Sequence, residues 1–435
     1  MSGKENNKKA IVRFFVFSLT GIFLFFIQIS LNGKRSIPID HMVSLMKDVL
    51  KKYYDYIILI LSGYTFISKI VRRTIRIKTT DILFTLLSAG GFVISGMVLL
   101  QLGPQDFLIA AEAAVQATGN ILCAIFISSV FIPLLVDYGM VDFFGMLCRP
   151  FMRRIFHTPG SSAVIGVSAF LGNYSMGHVV SRQMYDQGKF TEKETVIVAM
   201  GFSTCSVGLM LNLVNYLELM EYWTLYVLCV VAVTFMVTAL VSRIFPISRK
   251  RETYKEGIIA VAEPCISGNM FMAAWKEAIH QAGRAPDVTM AVKNILKQVF
   301  PVICEITGTS TTVITFGMLA ASFTRLFSYL GILFQPVLKA VGVCSTDIVC
   351  AVQAIGASIL EPVLAGVICS NQALELRTRW IIAVVPYTAI VFFAGFIPSV
   401  WSCKINCKVW EMLLIWGERV FFSILLAAGV AALLL

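Results

Sequence analysis

Nine stretches of this chain, 14–33, 53–71, 82–103, 107–136, 196–217, 222–242, 298–324, 380–403 and 409–435, are long apolar runs with few charges. A helix needs ~20 apolar residues to cross the hydrocarbon core of a bilayer, and each run meets or approaches that length. Inside lipid every backbone N–H and C=O must be satisfied by the chain itself, which leaves helices as the economical solution. The expectation is an all-α, polytopic membrane protein with about nine transmembrane helices. Only 14% of the residues are charged and 57% are hydrophobic, against about 25% charged in average globular chains. The weakest run is 53–71, where Asp55 and Lys69 must reach for the interfaces. The first run, Phe14–Gly33, lacks a clear small-residue cleavage site and reads as an anchored span, not a signal peptide.

The net charge of +11 sits in short loops between apolar runs. It points to anionic lipid headgroups and away from nucleic acid. Orientation follows from those loops. With the N-terminus in the cytoplasm, the cytoplasmic segments hold 26 Lys and Arg and the outer segments nine. Two segments then enter and leave on one face: 161–181, flanked by basic clusters, and 347–374. Both are interrupted, by Gly172 and Gly177 in one and by Gly356 and Pro362 in the other. They are read as re-entrant helical hairpins, because non-helical backbone at membrane depth survives only when buried in protein or lining a wet cavity.

A short element occurs twice. In "FFGMLCRPF" and "YLGILFQPV", Gly145 aligns with Gly331, Leu147 with Leu333 and Pro150 with Pro336. Each copy is followed by a hairpin and two spans, and one copy starts from outside, the other from inside. That is the pattern of inverted-topology repeats; chance similarity between two apolar Gly/Pro-bearing helices is the competing reading. The expected organisation is an N-terminal three-helix membrane segment (1–106), a first repeat (107–246), a linker (247–297) and a second, inverted repeat (298–435). Within the linker, "NMFMAAWKEAIHQA" puts Phe271, Trp275, Ala278 and Ile279 on one helical face, suiting a helix on the cytoplasmic membrane surface.

Several longer stretches carry a family likeness: "SLTGIFLFFIQISLNGKRSIPI", "GMLCRPFMRRIFHTPGSSA", "GHVVSRQMYDQGKFTEKETVIVAMGFSTCSVGLML" and "EPVLAG". With these the chain resembles the YjiH-type bacterial membrane proteins that carry a nucleoside-recognition Gate domain. The resemblance implies a pore-and-gate module of the kind also found in concentrative nucleoside transporters and ferrous-iron permeases. It makes both repeats Gate-like and implies a multi-pass protein of the bacterial inner (plasma) membrane. The chain departs from the commoner pattern in its many cysteines and at Asn173–Tyr174, where small residues are usual.

Polar groups at membrane depth are costly and need a partner, a water or a ligand. Asn173 and Ser175 occupy the first hairpin break, as a ligand site or as a self-satisfied turn. Gln353, Ser358 and Glu361 line the second; a carboxylate there could bind a cation or carry a proton, or simply be wet. Ser203, Thr204, Ser206 and Asn212 lie along the following span, where hydroxyls often bond the carbonyl one turn back but an amide needs a partner. Glu112, Gln116 and Asn120 share one helix face; Glu112 is either inward-facing or an interfacial carboxylate. Arg419, deep in the last run, is expected to snorkel or to pair with a carboxylate such as Glu305. Catalytic motifs are missing: there is no phosphate-binding loop, no H-E-x-x-H and no G-x-S-x-G, so no enzyme, cofactor or metal is expected.

These residues point to a secondary transporter or permease for a small polar solute, nucleoside-like or an ion, with the site at the two broken hairpins. The alternative reading is a non-transporting membrane scaffold, or one subunit of a two-component permease. The partners expected are the lipid bilayer, that solute, and a second copy or a second membrane subunit.

Overall fold

The computed structural model describes residues 2–31, 34–71, 79–131, 133–171, 174–205, 207–258, 260 and 269–434. The chain is built almost wholly of helices. Its N-terminal part comprises α1 (Ser2–Phe26), α2 (Pro38–Leu50), α3 (Tyr54–Val71) and α4 (Thr79–Leu100). Between α1 and α2 a small antiparallel ribbon pairs β1 (Ile29–Leu31) with β2 (Lys34–Ser36). The first apolar run therefore stops being helical at Phe26, short of the expected Gly33. Trp223 Nε1 donates to the carbonyl of Phe25 and Gln28 Nε2 to that of Met220, which ties this helix end to the start of a later span.

The next part runs α5 (Gln105–Phe131), α6 (Pro133–Val136), α7 (Met140–Leu147), α8 (Arg149–Phe151), α9 (Ser161–Leu171), α10 (Tyr174–Asp186), α11 (Glu192–Gly201), α12 (Val207–Tyr216) and α13 (Trp223–Val241). After α14 (Met270–Arg284) the order returns: α15 (Val288–Phe323), α16 (Leu326–Ile332), α17 (Gln335–Ala340), α18 (Ile348–Ala357), α19 (Pro362–Cys369), α20 (Leu376–Ala389), α21 (Phe396–Ser402) and α22 (Val409–Leu434). Long helix, short Gly/Pro helices, paired short helices, broken helix, long helix: the sequence of shapes is the same in both parts.

Among the described residues, six helical stretches are long and apolar enough to cross a membrane: Lys8–Phe26, Pro38–Val71, Gln105–Phe131, Met220–Val241, Val288–Ala320 and Val409–Leu433. Besides the first run, two of the nine expected runs are broken in their middle. The run 196–217 is interrupted between α11 and α12, and 380–403 between α20 and α21. The four hairpin arms are short. At 1.5 Å per residue α9 and α10 measure about 17 and 20 Å, and α18 and α19 about 15 and 12 Å. None reaches across a core of about 30 Å, which suits segments that turn back.

The repeated motif explains itself in the packing. Gly145 of α7 lies under Val164 on α9, and Gly331 of α16 lies under the Val352 carbonyl on α18. Each glycine thus seats the first arm of its own hairpin. The two sites differ in what a methyl group would meet first: a valine side-chain methyl at Gly145, a backbone carbonyl at Gly331. Gly331→Ala is expected to cost about 3 kcal/mol and Gly145→Ala about 1 kcal/mol, since a side chain can move and a hairpin backbone cannot. Melting temperatures of the two variants in detergent check the order.

The two repeat-opening helices, α5 and α15, pack on each other through small residues. Thr311 Oγ1 donates to Thr118 Oγ1 at 3.2 Å, and Gly308 abuts Ser88 of α4. The linker helix α14 is capped by the Asn269 side chain on Phe271 N–H. Its buried residues are Ala274, Ala278, Ile279 and Ala282, against α1 and α7; of the expected face Ala278 and Ile279 are buried, Trp275 is partly buried and Phe271 is exposed.

Arg419 does not pair with Glu305, which instead holds Lys69 at 3.2 Å. Arg419 is 1% exposed on α22. Its Nε donates to the Thr388 carbonyl at 2.8 Å and its Nη1 to Thr238 Oγ1 at 3.0 Å. Thr238 in turn donates to the Gly201 carbonyl. Thr388 and Gly201 stand at the C-terminal ends of α20 and α11, so one cation faces two helix ends carrying partial negative charge.

Candidate functional site at the helix breaks

Two interruptions organise the centre of the molecule. In the first, "FSTC" leaves helix after Gly201. Phe202 still bonds back to Val198, but Thr204 N–H bonds only to Phe202. In the second, α20 ends at Ala389 and Ile390 takes a left-handed backbone, φ 64°. A β-branched residue pays strain there of order 1–3 kcal/mol, and such outliers cluster where function requires them. The stretch 390–395 then runs irregularly into α21.

Both hairpin tips meet that stretch. From the α18/α19 hairpin, the Ile359 and Leu360 carbonyls accept from Phe393 N–H and Ala394 N–H at 2.8 and 2.9 Å. From the α9/α10 hairpin, the Tyr174 ring stands edge-on to Phe392 with centroids 5.3 Å apart, and its hydroxyl lies over Gly395. One turn on, His178 is fully buried and its Nδ1 pairs with Ser399 Oγ at 2.8 Å. The same arm reaches the first break, where Gly177 lies against Ser203 Oγ. Tyr387 closes the set by donating its hydroxyl to the Leu209 carbonyl at 2.7 Å, tying α20 to α12.

Glu361 stands at the tip before Pro362, with only 7% of its surface exposed. It occupies the N-cap position of α19 in extended conformation, yet its side chain does not cap the helix. No hydrogen bond or ion pair compensates it among the described residues. Its electrostatic neighbours are Cys205 at the first break and Tyr387. Ser203 Oγ and both amide atoms of Asn212 are likewise buried without a partner among the described residues. Asn212 sits between two contacts of α12 with α5: Gly208 against Ser128, and Tyr216 with Asn120. Helical spacing therefore turns it toward α5, where Ser128 Oγ is also unpartnered. Buried polar atoms left unpaired are rare and costly, and a ligand reaching Ser203 or Asn212 would offset that cost.

The other sequence candidates separate. Asn173 and Ser206 lie outside the described residues, and Ser175 is placed only by its position in the first turn of α10. Gln353 is half-buried, eight residues before Glu361. Ser358 donates to its own helix at Ile355 and is self-satisfied. Thr204 lines an apolar groove of about 340 Å³ with Ile22, Phe170 and Thr234. Glu112 is exposed and accepts from Gln101 Nε2 at 3.0 Å. It lies 12 residues from Ala124, the α5 level of Asn212, which is about 18 Å along the helix, so it does not join this group. Asn215 bonds Asp40, and Asn120 bonds Tyr54. Tyr174 lies at the hairpin break read from the sequence and His178 makes the kind of hydrogen bond its place one turn on suggests; Tyr387, far in sequence from either hairpin break, carries no such signal.

Residues 119–222, from mid-α5 to the start of α13, match the family model described as Gate, nucleoside recognition. The match is to this segment, under half of the chain. That Gate segment contains the α9/α10 hairpin, the first break and Asn212, whereas Glu361 and the second break lie beyond it. An uncharacterized protein of Alkalihalophilus pseudofirmus is 23% identical over 432 residues, covering 95% of this chain and 92% of that protein. Among solved structures, CNTnw in an inward-facing substrate-bound state is 13% identical, with a TM-score of 0.43 over 91% of this chain and 99% of that one. An outward-facing double variant of CNTnw is 16% identical, with a TM-score of 0.43 over 98% of this chain and 91% of that one.

Proposed function

We propose that this protein is a secondary transporter for a small polar solute, of nucleoside type, in the bacterial plasma membrane with its N-terminus in the cytoplasm. The observation that carries this reading is the meeting of both hairpin tips at one unwound stretch beside an uncompensated Glu361. Residues 107–246 and 298–435 act as two Gate-like halves of inverted topology, with 1–106 and 247–297 as accessory segments. Discontinuous helices that face each other between such halves supply backbone groups and side chains to a solute. Glu361, Ser203 and Asn212 form the core of the proposed site, and the sequence candidates Asn173, Ser175 and Gln353 are assigned to it with them. The Gate domain supports the class of solute; rocking of one half against the other alternates access.

The test is a thermal-shift screen of the purified protein against nucleosides, amino acids, dipeptides and metal ions, followed by uptake into proteoliposomes. A nucleoside hit is expected. Asn212→Leu is expected to weaken that hit about tenfold, the loss of one hydrogen-bonding partner of about 1.4 kcal/mol. In the empty protein the same change should stabilise by about 1 kcal/mol, because a buried unpaired amide is removed. A nucleoside affinity unmoved by Asn212→Leu would place the solute elsewhere.

A further inference from the structure

A second feature lies far from the helix breaks, at the charged end of α1. Residues Lys8–Arg13 and the facing side of α14 enclose an open groove of about 1050 Å³. Lys8, Lys9, Lys276 and Arg284 line it, and no carboxylate is among its lining residues. Arg13 is already engaged, by Asp287 at 2.9 Å and the Ala285 carbonyl. The other four cations have no ion pair among the described residues. They repel one another, and an anion between them would relieve that repulsion.

The walls of the groove are apolar. Ile11, Val12, Met272 and Trp275 line it, and Val12 and Met272 are more than half exposed. Trp275 stacks edge-on to Phe14 with centroids 5.5 Å apart and lies 5.8 Å from Phe15. Those two phenylalanines belong to the candidate membrane span Lys8–Phe26. The groove is thus continuous with a lipid-facing helix, and an aromatic layer of the kind found at headgroup level separates its cations from the apolar run. A soluble anion would use the cations and leave the apolar walls wet. An acidic peptide would not continue along α1.

We propose that this groove binds an anionic phospholipid, with its phosphate between Lys9, Lys276 and Arg284 and an acyl chain along Val12 and Phe15 of α1. The probe is phosphatidylglycerol, added to phosphatidylcholine nanodiscs holding the full chain, with retained lipid counted by native mass spectrometry after mild extraction. Phosphatidylglycerol should be retained in preference to phosphatidylcholine, and less so as salt is raised. Lys9→Gln/Lys276→Gln/Arg284→Gln should lower retention about a hundredfold, since each cation near an anionic headgroup contributes about fivefold. Lys9→Arg/Lys276→Arg should retain lipid like the wild type, and Lys51→Gln/Lys52→Gln, on another surface, should change nothing. Equal retention of the two lipids, full retention by the triple Gln variant, or displacement of the lipid by millimolar inorganic phosphate or an acidic peptide would overturn the proposal.

Discussion

Glu361→Gln should sharply weaken solute binding while making the empty protein more stable. The carboxylate stands buried at the hairpin tip, does not cap α19 and has no cation beside it among the described residues. An ionised carboxylate in such a place costs several kcal/mol unless a ligand compensates it. Glutamine keeps the shape and removes the charge. The expected gain in apo stability is about 1–3 kcal/mol, read as a rise in melting temperature. The expected loss in affinity is at least about a hundredfold, because hydrogen bonds to a charged acceptor contribute about 1.5–3 kcal/mol each. Equilibrium binding of the best hit from the nucleoside screen measures it. An unchanged affinity would remove Glu361 from the site, and a fall in both stability and affinity would give it a purely structural role.

Arg419→Met is expected to act in the opposite sense, by about 2–4 kcal/mol of lost stability. The guanidinium bonds Thr388 at the end of α20 directly and Gly201 at the end of α11 through Thr238. Its removal leaves the Thr388 carbonyl without this donor and two helix ends without their cation. Charged hydrogen bonds of about 1.5–3 kcal/mol each are lost; relief from burying an unpaired charge offsets part of that. Arg419→Lys should fall between, since an ammonium keeps the charge but cannot span both acceptors with a planar fork. Thermal unfolding of the two variants in detergent, compared with the wild type, settles the order. Solute binding should fall with Arg419→Met as well, because both breaks lose a common anchor.

Much of this architecture is legible in the residues. Apolar runs dictate helices, and the Gly–Pro echo at Gly145 and Gly331 leads to two hairpins because each glycine is the seat of a hairpin arm. On α14, spacing finds Ala278 and Ile279 but favours the large Phe271, which is exposed, over the small Ala274 and Ala282 that let α1 and α7 pack closely. Glu361 stands out because a carboxylate in an apolar run needs a reason. The interruptions of α11/α12 and α20/α21 were not legible, for two different reasons. At Ser203–Cys205 there is no glycine or proline, only small residues whose hydroxyls serve a helix or a break equally well. At 390–395 the signals Gly395 and Pro398 were present, but apolar composition reads the same whether or not the backbone is helical. Arg419 and Glu112 show a further limit. Spacing fixes the face a side chain occupies; what meets that face, Thr388 and Thr238 for Arg419 and the turn residue Gln101 for Glu112, is decided by how other elements pack.

The hold of the α18/α19 tip on residues 393 and 394 constrains how the molecule can open. Its two main-chain bonds, from Phe393 and Ala394 to Ile359 and Leu360, join two segments of the same 298–435 half, so rocking of the halves carries them together and only withdrawal of the hairpin itself would part them. Once parted, four peptide groups need new partners, and only water or an incoming solute can provide them. Withdrawal of this hairpin is therefore a hydration event. The path to the interior fills as the tip leaves, and a dry, open intermediate is the one conformation this arrangement does not permit.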